Sequence, residues 1–420
     1  MLILALYPNL LNVSKSQKNT VLYHIPTKRR FLFSKDAYSD FKAFIDEGIE
    51  TEKVKNFFKE NLNCIEEIKV ENTIKRIEIM TCTCCNLNCK YCYAHGGNYN
   101  LNEQIMTIHT NNLILDKIKL LSDKIKEVKF FGGEPFLGYK CILNTCEWFS
   151  NNYKKVPKFK VVTNLTYLPE ELLIGIKKYN IILTVSLDGP EEINNELRIS
   201  KDMDINVFET VKNNIRRLRK IGCPIQAVEC TFTQKHKELG YTKDWLEQYF
   251  KHEFGVKQVI VAEEYHPENK CRFNFEYRKL FNDEKIINPV ELELISRCLS
   301  KEHTGGGLCQ VGNSALTFLP NGDVYPCHLF IYNNKYKIGN ILDKKLFKQI
   351  DEVRENLNNI RKKVGCDKCK ARNLCSQCFK DFIFDTDEKM IECKEIIKMN
   401  EYCIAKICGV NIKTTLSDNL

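Results

Sequence analysis

The sequence predicts an α/β fold in which six parallel strands curl into a partial barrel. Short runs rich in β-branched and aromatic residues alternate with longer helical stretches through the middle of the 420-residue chain. Because parallel strands must be joined by crossovers, the intervening helices favour a parallel sheet. Glycine or polar residues follow most of these runs, at the strand ends where barrel enzymes place their chemistry. The predicted strands are residues 77–80, 127–131, 159–162, 181–185, 225–230 and 258–262, and the predicted helices include 111–126 and 207–220.

The chain is long enough for two or three domains, each with its own core. We predict three, covering residues 1–75, 76–300 and 301–420, with the Thr-Gly-Gly-Gly run 304–307 as a flexible junction. In the first domain, residues 1–7, 21–25 and 30–33 are predicted to form strands, followed by helices over 36–46 and after residue 51. The capping and inward-facing residues expected in these helices are Ser34, Tyr38, Phe41, Ile45, Thr51, Val54, Phe57 and Phe58.

Composition and charge indicate a soluble globular protein and argue against nucleic-acid binding, membrane insertion and secretion. Apolar residues make up 43% and charged residues 28% of the chain, as in soluble globular proteins. The net charge is +9, but the basic residues are scattered and the densest run, 28–30, is short, so we expect no nucleic-acid partner. No apolar stretch is long enough to span a membrane, and the N-terminal run lacks the basic region and cleavage site of a signal peptide. The 21 cysteines therefore indicate cluster or metal binding in the reducing cytoplasm.

The most informative feature is a cysteine triplet with the spacing C-x3-C-x2-C. Its members are Cys85, Cys89 and Cys92. An aromatic residue, Tyr91, directly precedes the third cysteine. One loop with this spacing can place three thiolates around a four-iron cluster, which leaves one iron open for a small molecule. A zinc site is the alternative, because C-x2-C is a common zinc half-site, and the nearby Cys82 and Cys84 make a different ligand set conceivable.

Further candidate site residues follow the predicted strands. Those after the second, third and fourth strands are Gly132, Gly133, Glu134, Pro135, Thr163, Asn164, Ser186 and Asp188. The glycine pair allows the backbone to approach a ligand closely. Glu229, Thr231 and His236, at or beyond the fifth strand, are weaker candidates for the wall of a substrate cavity. Such residues are more often structural than catalytic, so no catalytic residue is assigned.

The triplet and the Gly-Gly-Glu-Pro run resemble the radical S-adenosylmethionine (SAM) enzymes, whose core is a partial (β/α)6 TIM-like barrel. In that family a 4Fe–4S cluster binds SAM through its amino and carboxylate groups, and electron transfer cleaves SAM to a 5′-deoxyadenosyl radical. The resemblance implies that Cys85, Cys89 and Cys92 hold this cluster. It places residues 132–135, Thr163 and Asn164 near the SAM methionine, Ser186 and Asp188 at the ribose, and Tyr91 near the adenine. Arg198 is a candidate partner for the SAM carboxylate, with a solvated helix charge as the alternative.

A second cysteine pattern occupies the last third of the chain. In order it comprises Cys309, Gly322, Cys327, Cys366, Cys369, Cys375, Cys378 and Cys393. It resembles the SPASM domain, an iron–sulfur module of radical SAM enzymes that binds two auxiliary 4Fe–4S clusters, although the usual three-residue gap before the sixth cysteine is two residues here. A zinc ribbon is the alternative for residues 366–378.

The SPASM resemblance implies two sets of ligands, and with the triplet it gives three 4Fe–4S clusters. Cys366, Cys369, Cys375 and Cys393 would hold the distal cluster, and Cys309, Cys327 and Cys378 the nearer one. Cys298 is a candidate for the missing ligand, and His303 is a weaker one. The other possibility is an open iron, which could bind a substrate thiolate and lower its pKa.

Together these resemblances imply an enzyme that modifies peptides. The hairpin and helices at the start are similar to the winged-helix-like domain that recognises the leader of a ribosomal precursor peptide, with a merely decorative cap as the alternative. We expect a cysteine-containing precursor with a leader as substrate, thioether links as product, and a ferredoxin or flavodoxin as electron donor. Sulfatase maturases are rivals, but they carry an acidic base where this chain has His328. Carbon–carbon crosslinking, epimerisation, splicing and a non-catalytic cluster-binding or zinc-binding scaffold are the remaining alternatives.

Overall fold

The computed structural model describes residues 10–12, 20–24, 29–33, 51–62, 73–202, 205–264, 311–312 and 314–366, together with 369, 375 and 397. The chain divides into two compact units. One comprises residues 1–71, 275–310 and 356–420, and the other comprises residues 72–274 and 311–355. The predicted domain limits at residues 75 and 300 remain predictions.

The first unit contains a small antiparallel sheet. Its strands are β1 (Leu10–Asn12), β2 (Thr20–His24) and β3 (Arg29–Phe33), with β2 in the centre. The predicted hairpin is confirmed, since Thr20 pairs with Phe33 and His24 with Arg29. Helix α1 (Glu52–Leu62) begins after Thr51, whose hydroxyl accepts the N–H of Val54 at 3.3 Å, as the capping prediction requires. The predicted strand at 1–7 and helix at 36–46 lie outside the described residues.

The second unit is built on a larger sheet whose centre is parallel. Its first six strands in the chain are β4 (Arg76–Cys82), β5 (Glu127–Gly132), β6 (Lys158–Thr163), β7 (Ile182–Ser186), β8 (Ala227–Phe232) and β9 (Gln258–Glu263). They follow one another in the sheet in chain order, and every neighbouring pair is parallel. The predicted set of six parallel strands is therefore confirmed, with limits that differ by no more than two residues.

Helices connect these strands, as parallel pairing requires. They are α2 (Ile108–Leu121), α3 (Tyr139–Asn152), α4 (Glu170–Tyr179), α5 (Glu191–Leu197), α6 (Val207–Lys220), α7 (Gln234–Glu238) and α8 (Lys243–Phe254). The limits predicted for α6 are confirmed, but α2 ends five residues before the predicted Lys126. The reason is Ser122, which adopts extended backbone and donates its hydroxyl to the carbonyl of Ile74 at 2.7 Å.

Three more strands extend the sheet beyond β4, which the sequence patterns did not predict. They are β10 (Ala315–Phe318), β11 (Asp323–Tyr325) and β12 (Gly339–Asn340), and α9 (Leu346–Val364) follows them. β10 pairs in parallel with β4, with Ala315 opposite Arg76 and Phe318 opposite Ile79. β11 and β12 continue the sheet in antiparallel fashion. The two strands that flank Cys327 in the chain, β11 and β12, thus belong to the same sheet as the strand that leads to the cysteine triplet.

Apolar side chains on both faces of the parallel strands form the core. On β4, every residue from Ile77 to Cys82 is buried, as expected for a strand covered on both faces. Helix α6 contributes Val207, Val211, Ile215 and Leu218, whose spacing places them on one face. Packing of this kind fixes the strands and leaves their carboxyl ends free to carry the site. Within the described part of the chain, every helix is too short or too polar to cross a bilayer.

Candidate active site

The carboxyl ends of the parallel strands surround one cavity of about 790 Å³. Its wall includes Cys85, Cys89 and Cys92, and it also includes residues from the ends of β5 to β9. Apolar side chains such as Phe131, Val162 and Leu329 complete it. This volume lies within the range of small-molecule sites, so the cavity can hold a cofactor with part of a larger substrate.

The loop after β4 presents the triplet to this cavity and turns the upstream cysteines away from it. Cys85, Cys89 and Cys92 are half-buried free thiols. Cys82 is fully buried, and its thiol donates to the carbonyl of Glu134 at 3.0 Å. Cys82 and Cys84 are absent from the cavity wall. The geometry therefore groups the three cysteines of the C-x3-C-x2-C motif rather than an upstream set.

Close backbone contacts explain why glycines stand opposite this loop. A Cβ on Gly133 would lie 2.1 Å from the carbonyl oxygen of Cys84, and one on Gly132 would lie 2.5 Å from that of Cys82. The N–H of Glu134 donates to the Cys84 carbonyl at 2.9 Å. The sequence interpretation related the glycine pair to a ligand. The structure gives a second reason, because these residues hold the cysteine loop against β5.

The Glu134 carboxylate joins the ends of two strands, β5 and β6. It accepts hydrogen bonds from the Thr163 hydroxyl at 2.6 Å, the Asn164 N–H at 2.7 Å and the Phe136 N–H at 3.0 Å. The side chain of Asn164 reaches back to the cysteine loop and donates to Asn86 Oδ1 at 3.0 Å. Burial raises the pKa of Glu134 to about 7, against the opposing effect of these hydrogen bonds. A carboxylate so placed can receive an ammonium group, which fits the predicted methionyl end of SAM.

Asp188 is the centre of a buried charged network. Its carboxylate is fully buried and accepts the Thr231 N–H at 3.0 Å and an Arg198 Nη2–H at 3.2 Å. The Tyr91 hydroxyl also donates to it. Asp188 does not line the cavity, whereas Ser186, two residues earlier, does. Asp188 therefore links the cysteine loop to the ends of β7 and β8, and its predicted contact with ribose remains a prediction.

Arg198 lies where it can meet an anion in the cavity. Its guanidinium lines the wall and stands 5.7 Å from the centre of the Tyr91 ring. Its Nε lies 2.8 Å from Asp188 Oδ2, yet within the described residues this buried N–H makes no hydrogen bond. An unsatisfied buried donor fits a carboxylate ligand. The predicted roles of Arg198 and Tyr91 toward SAM remain predictions.

A second buried network, missed in the sequence, includes His328, which lines the cavity. His328 Nδ1 lies 2.8 Å from Glu78 Oε2, and Glu78 also pairs with Lys129 at 3.5 Å and accepts from Thr317 at 2.9 Å. Burial opposes the charge on His328, but the Glu78 carboxylate and Cys327 raise its pKa to about 9. A glutamate between two buried isoleucines in a predicted internal strand was the signal in the sequence, since such a charge needs a partner.

The structure describes only some of the cysteines of the second pattern. The Cys327 thiol lies 3.8 Å from His328 Nδ1, and that histidine lowers the pKa of the thiol against the effect of burial. The N–H of Cys369 donates to the Cys366 carbonyl at 3.3 Å, and Cys375 is half-buried. The other predicted ligands lie outside the described residues: Cys298, His303, Cys309, Cys378 and Cys393. The two auxiliary clusters and their ligands remain predictions.

The donor set in the cavity fits an iron–sulfur cluster. Burial raises the pKa of the Cys85 thiol to about 12 and that of Cys89 to about 11, so the bare thiols hold their protons. A metal replaces such protons on binding and supplies the positive charge that the site lacks. The residues that would hold the cluster are thus the three thiols on this one loop.

Comparison with known proteins agrees with this geometry. Residues 79–233 match the model of the radical SAM superfamily, and residues 309–379 match that of SPASM, an iron–sulfur cluster-binding domain. The chain carries a radical SAM domain followed by a SPASM domain. The predicted fold class is therefore confirmed. The SPASM match includes Cys327, so β10 to β12 lie within the matched region although they extend the barrel sheet.

Relatives of known sequence span archaea and bacteria. An uncharacterised protein of Methanocaldococcus jannaschii is 28% identical over 63% of this chain and 87% of its own length. A cysteine-type anaerobic sulfatase-maturating enzyme of Clostridium perfringens is 25% identical over 78% of this chain and 96% of its own. The radical SAM cyclopropyl synthase TigE of Paramaledivibacter caminithermalis is 24% identical over 42% of this chain and 43% of its own.

Solved structures show the same fold. The enzyme anSMEcpe, with bound AdoMet and the Cp18Cys peptide, covers 80% of this chain and 99% of its own, at 20% identity and a TM-score of 0.59. SuiB of Streptococcus suis, bound to S-adenosylmethionine, covers 90% of this chain and 96% of its own, at 15% identity and a TM-score of 0.53.

Proposed function

We propose that this protein is a radical SAM/SPASM enzyme that installs thioether links between cysteine sulfur and carbon atoms of a ribosomally made precursor peptide. One observation carries the proposal. The cavity that receives Cys85, Cys89 and Cys92 is also lined by His328, the residue that follows Cys327. A predicted ligand of the nearer auxiliary cluster thus stands beside the cavity in which SAM would be cleaved. A substrate thiolate and a substrate carbon could then meet in one place.

The clusters, when bound, supply an electron for the cleavage of SAM to a 5′-deoxyadenosyl radical and an acceptor for the electron released as the C–S bond forms. This chain's residues would bind and orient the reactants. Glu134 would receive the ammonium and Arg198 the carboxylate of SAM, while Ser186 faces the remainder of the ligand. Phe131 and Leu329 add apolar surface to the cavity wall, which would exclude water and protect a reactive carbon centre.

The proposed reaction is a net oxidation of the peptide. Each thioether link removes one hydrogen atom from a carbon and one proton with one electron from a thiol. The hydrogen atom would end in 5′-deoxyadenosine, an iron–sulfur acceptor would take up the electron, and the proton would pass to solvent. A reduced protein such as ferredoxin or flavodoxin is the proposed source of the electron that cleaves SAM.

The proposed substrate is a cysteine-containing precursor with a leader. Solved relatives of the same fold include SuiB bound to its precursor peptide SuiA, and anSMEcpe bound to peptides. In this chain, β1 and β3 form the edges of the described three-stranded sheet. An extended leader could add to such an edge by main-chain hydrogen bonds. We place the reaction in the cytoplasm, where precursor peptides are made and clusters stay reduced.

Formylglycine formation is the second candidate function. It is favoured by the sulfatase-maturating relative, which matches this chain over 96% of its own length. Sulfatase maturases carry an acidic base at the position of His328, and in this chain the Glu78 carboxylate lies 2.8 Å from that imidazole. A carboxylate from β4 therefore lies directly next to His328, which lines the cavity.

Mass spectrometry of a reacted peptide separates the two functions. The reduced, reconstituted enzyme is incubated without oxygen with SAM and a short cysteine-rich peptide encoded beside its gene, and Cys85→Ala serves as the control. Thioether formation removes a pair of hydrogen atoms and a free thiol per link. Formylglycine formation replaces the thiol by an aldehyde that hydrazides capture. An unchanged peptide beside abundant 5′-deoxyadenosine would contradict both assignments for that peptide.

A further inference from the structure

His236 lies behind the wall of the cavity rather than in it. The residue belongs to the short helix α7, which follows β8, and its side chain is fully buried. Its ring stacks on Phe232, with ring centres 5.2 Å apart. The sequence suggested Glu229, Thr231 and His236 as candidates for the cavity wall. The first two line the cavity and His236 does not, so its function must be exerted through another residue.

The hydrogen bonds of His236 define one tautomer of its ring. The Thr233 main-chain N–H donates to Nδ1 at 3.1 Å, so Nδ1 must act as an acceptor. Nε2 lies 2.6 Å from the main-chain carbonyl of Asp188, a group that can only accept. The proton is therefore on Nε2, which donates to Asp188. Both ring nitrogens are therefore hydrogen-bonded, Nδ1 as an acceptor and Nε2 as a donor.

The carbonyl that His236 holds lies in the turn after β7. Asp188 donates its own N–H to Asn194 Oδ1 at 3.1 Å, and the next residue, Gly189, has a φ of +141° that other residues rarely adopt. A buried carbonyl in such a turn needs a donor, and the imidazole of His236 supplies it. With the main chain fixed at both ends of Asp188, its carboxylate stays directed at Arg198.

We propose that His236 is a positioning residue for SAM. By donating Nε2–H to the Asp188 carbonyl, it fixes the turn that presents Ser186 to the cavity and keeps Arg198 in its wall. The arrangement resembles the outer-sphere hydrogen bonds that orient ligand-binding groups in other sites. The proposal rests on SAM binding in this cavity, as the proposed function does, and it is independent of which peptide is modified.

Two substitutions of His236 separate the hydrogen bond with Thr233 from the hydrogen bond with Asp188. In His236→Asn, the amide oxygen can replace Nδ1 as acceptor for Thr233, but nothing reaches the Asp188 carbonyl. In His236→Gln, the longer amide can donate from the place of Nε2. The measurement is the Kd for SAM of the reconstituted holoenzyme without peptide, by anaerobic equilibrium dialysis, together with the EPR spectrum of the reduced enzyme with and without SAM. The exposed His252→Asn is the matched control.

We expect the Asn variant to bind SAM about three- to tenfold more weakly, as the loss of one buried hydrogen bond implies. Its EPR response to SAM should change as well, while the Gln variant and the control should keep the wild-type values. Wild-type affinity in the Asn variant would overturn the proposal. So would an equal loss of SAM affinity and of melting temperature in both variants, because His236 would then serve folding alone.

The outcomes also separate this proposal from the proposed function. A wild-type enzyme that binds no SAM overturns both. A wild-type enzyme that binds SAM but modifies no cysteine-containing peptide contradicts the peptide assignment alone, and the comparison of the two His236 variants still decides the role of that residue.

Discussion

His328 Nδ1 lies 2.8 Å from Glu78 Oε2, so the residue that follows Cys327 is bound to the strand that leads to the cysteine triplet. Glu78 belongs to β4, and β4 continues directly into the loop that carries Cys85. Lys129 on β5 and Thr317 on β10 complete the contacts of this carboxylate. One buried ion pair thereby joins the middle of the sheet to the residue that follows Cys327, a predicted SPASM ligand.

Glu78→Gln should destabilise the protein in a pH-dependent way. The folded pKa of His328, about 9, exceeds its ordinary value of 6.5, so its contribution is complete below pH 6.5 and disappears as pH rises through about 9. The pKa of Glu78 is lowered, so its contribution requires a pH above its ordinary value of 4.5. Between pH 4.5 and 6.5, replacing Glu78, the partner of His328, should lower the free energy of unfolding by about 3 kcal/mol.

Urea unfolding of the metal-free protein checks this prediction. The midpoint difference between wild type and Glu78→Gln should be largest between pH 4.5 and 6.5, should shrink as the pH rises from 6.5 to about 9, and should be smallest above that. Glu103→Gln, in an exposed ion pair with Lys201, is the control and should be nearly neutral. A midpoint difference that stays constant with pH would contradict the account of the pair.

Gly133→Ala should prevent the cysteine loop from closing. The new Cβ would lie 2.1 Å from the Cys84 carbonyl oxygen, a backbone atom that cannot move without shifting Cys85. The variant should fold but retain less iron per chain after anaerobic reconstitution. Gly222→Ala is a suitable control, since its Cβ would meet nothing within 4 Å, although its φ of +80° should cost about 1 kcal/mol. Equal iron contents in both variants would contradict the assigned packing role.

Glu134 should make SAM binding depend on pH. Burial raises its pKa to about 7, so the carboxylate takes up a proton as the pH falls through that value and loses its attraction for the SAM ammonium. The affinity of the reconstituted enzyme for SAM should therefore decline below about pH 7. Glu134→Gln should bind SAM about tenfold more weakly at pH 8 and show no such decline. Isothermal titration under argon measures both, and a wild-type profile without the decline would reject this role.

Asp188→Asn should destabilise the folded protein more than the loss of an exposed carboxylate does. It leaves the buried Arg198 guanidinium without its counter-charge, which should cost about 3 to 5 kcal/mol. Glu196 pairs with Lys90 and Lys235 on the surface, where solvent screens the charges, so Glu196→Gln should lower the melting temperature far less than Asp188→Asn does. Thermal unfolding of the two variants gives the comparison. Similar melting temperatures of the two variants would contradict the prediction that the buried Asp188–Arg198 pair stabilises the fold.

The barrel and much of the site could be predicted because their signals are local. Strand ends bearing Thr163, Asn164 and Ser186 lie together for the reason anticipated, since parallel strands end at one edge. The pairing of β10 with β4 could not be predicted, because nothing near residues 315–318 specifies a partner more than two hundred residues away. The Glu78–His328 pair was missed for the same reason, and the role of Gly133 against the cysteine loop depends on a backbone contact that sequence spacing cannot show.

Transfer of deuterium from peptide to SAM-derived product tests the central claim most directly. The probe is a peptide that the enzyme modifies in the mass-spectrometric assay, made with deuterium on its carbon atoms, and the readout is the isotopic mass of 5′-deoxyadenosine. The account predicts deuterium in 5′-deoxyadenosine from the wild-type enzyme and no 5′-deoxyadenosine from Cys85→Ala. Product formed by the wild type without any deuterium would contradict the claim that the cavity directs the radical to a peptide carbon.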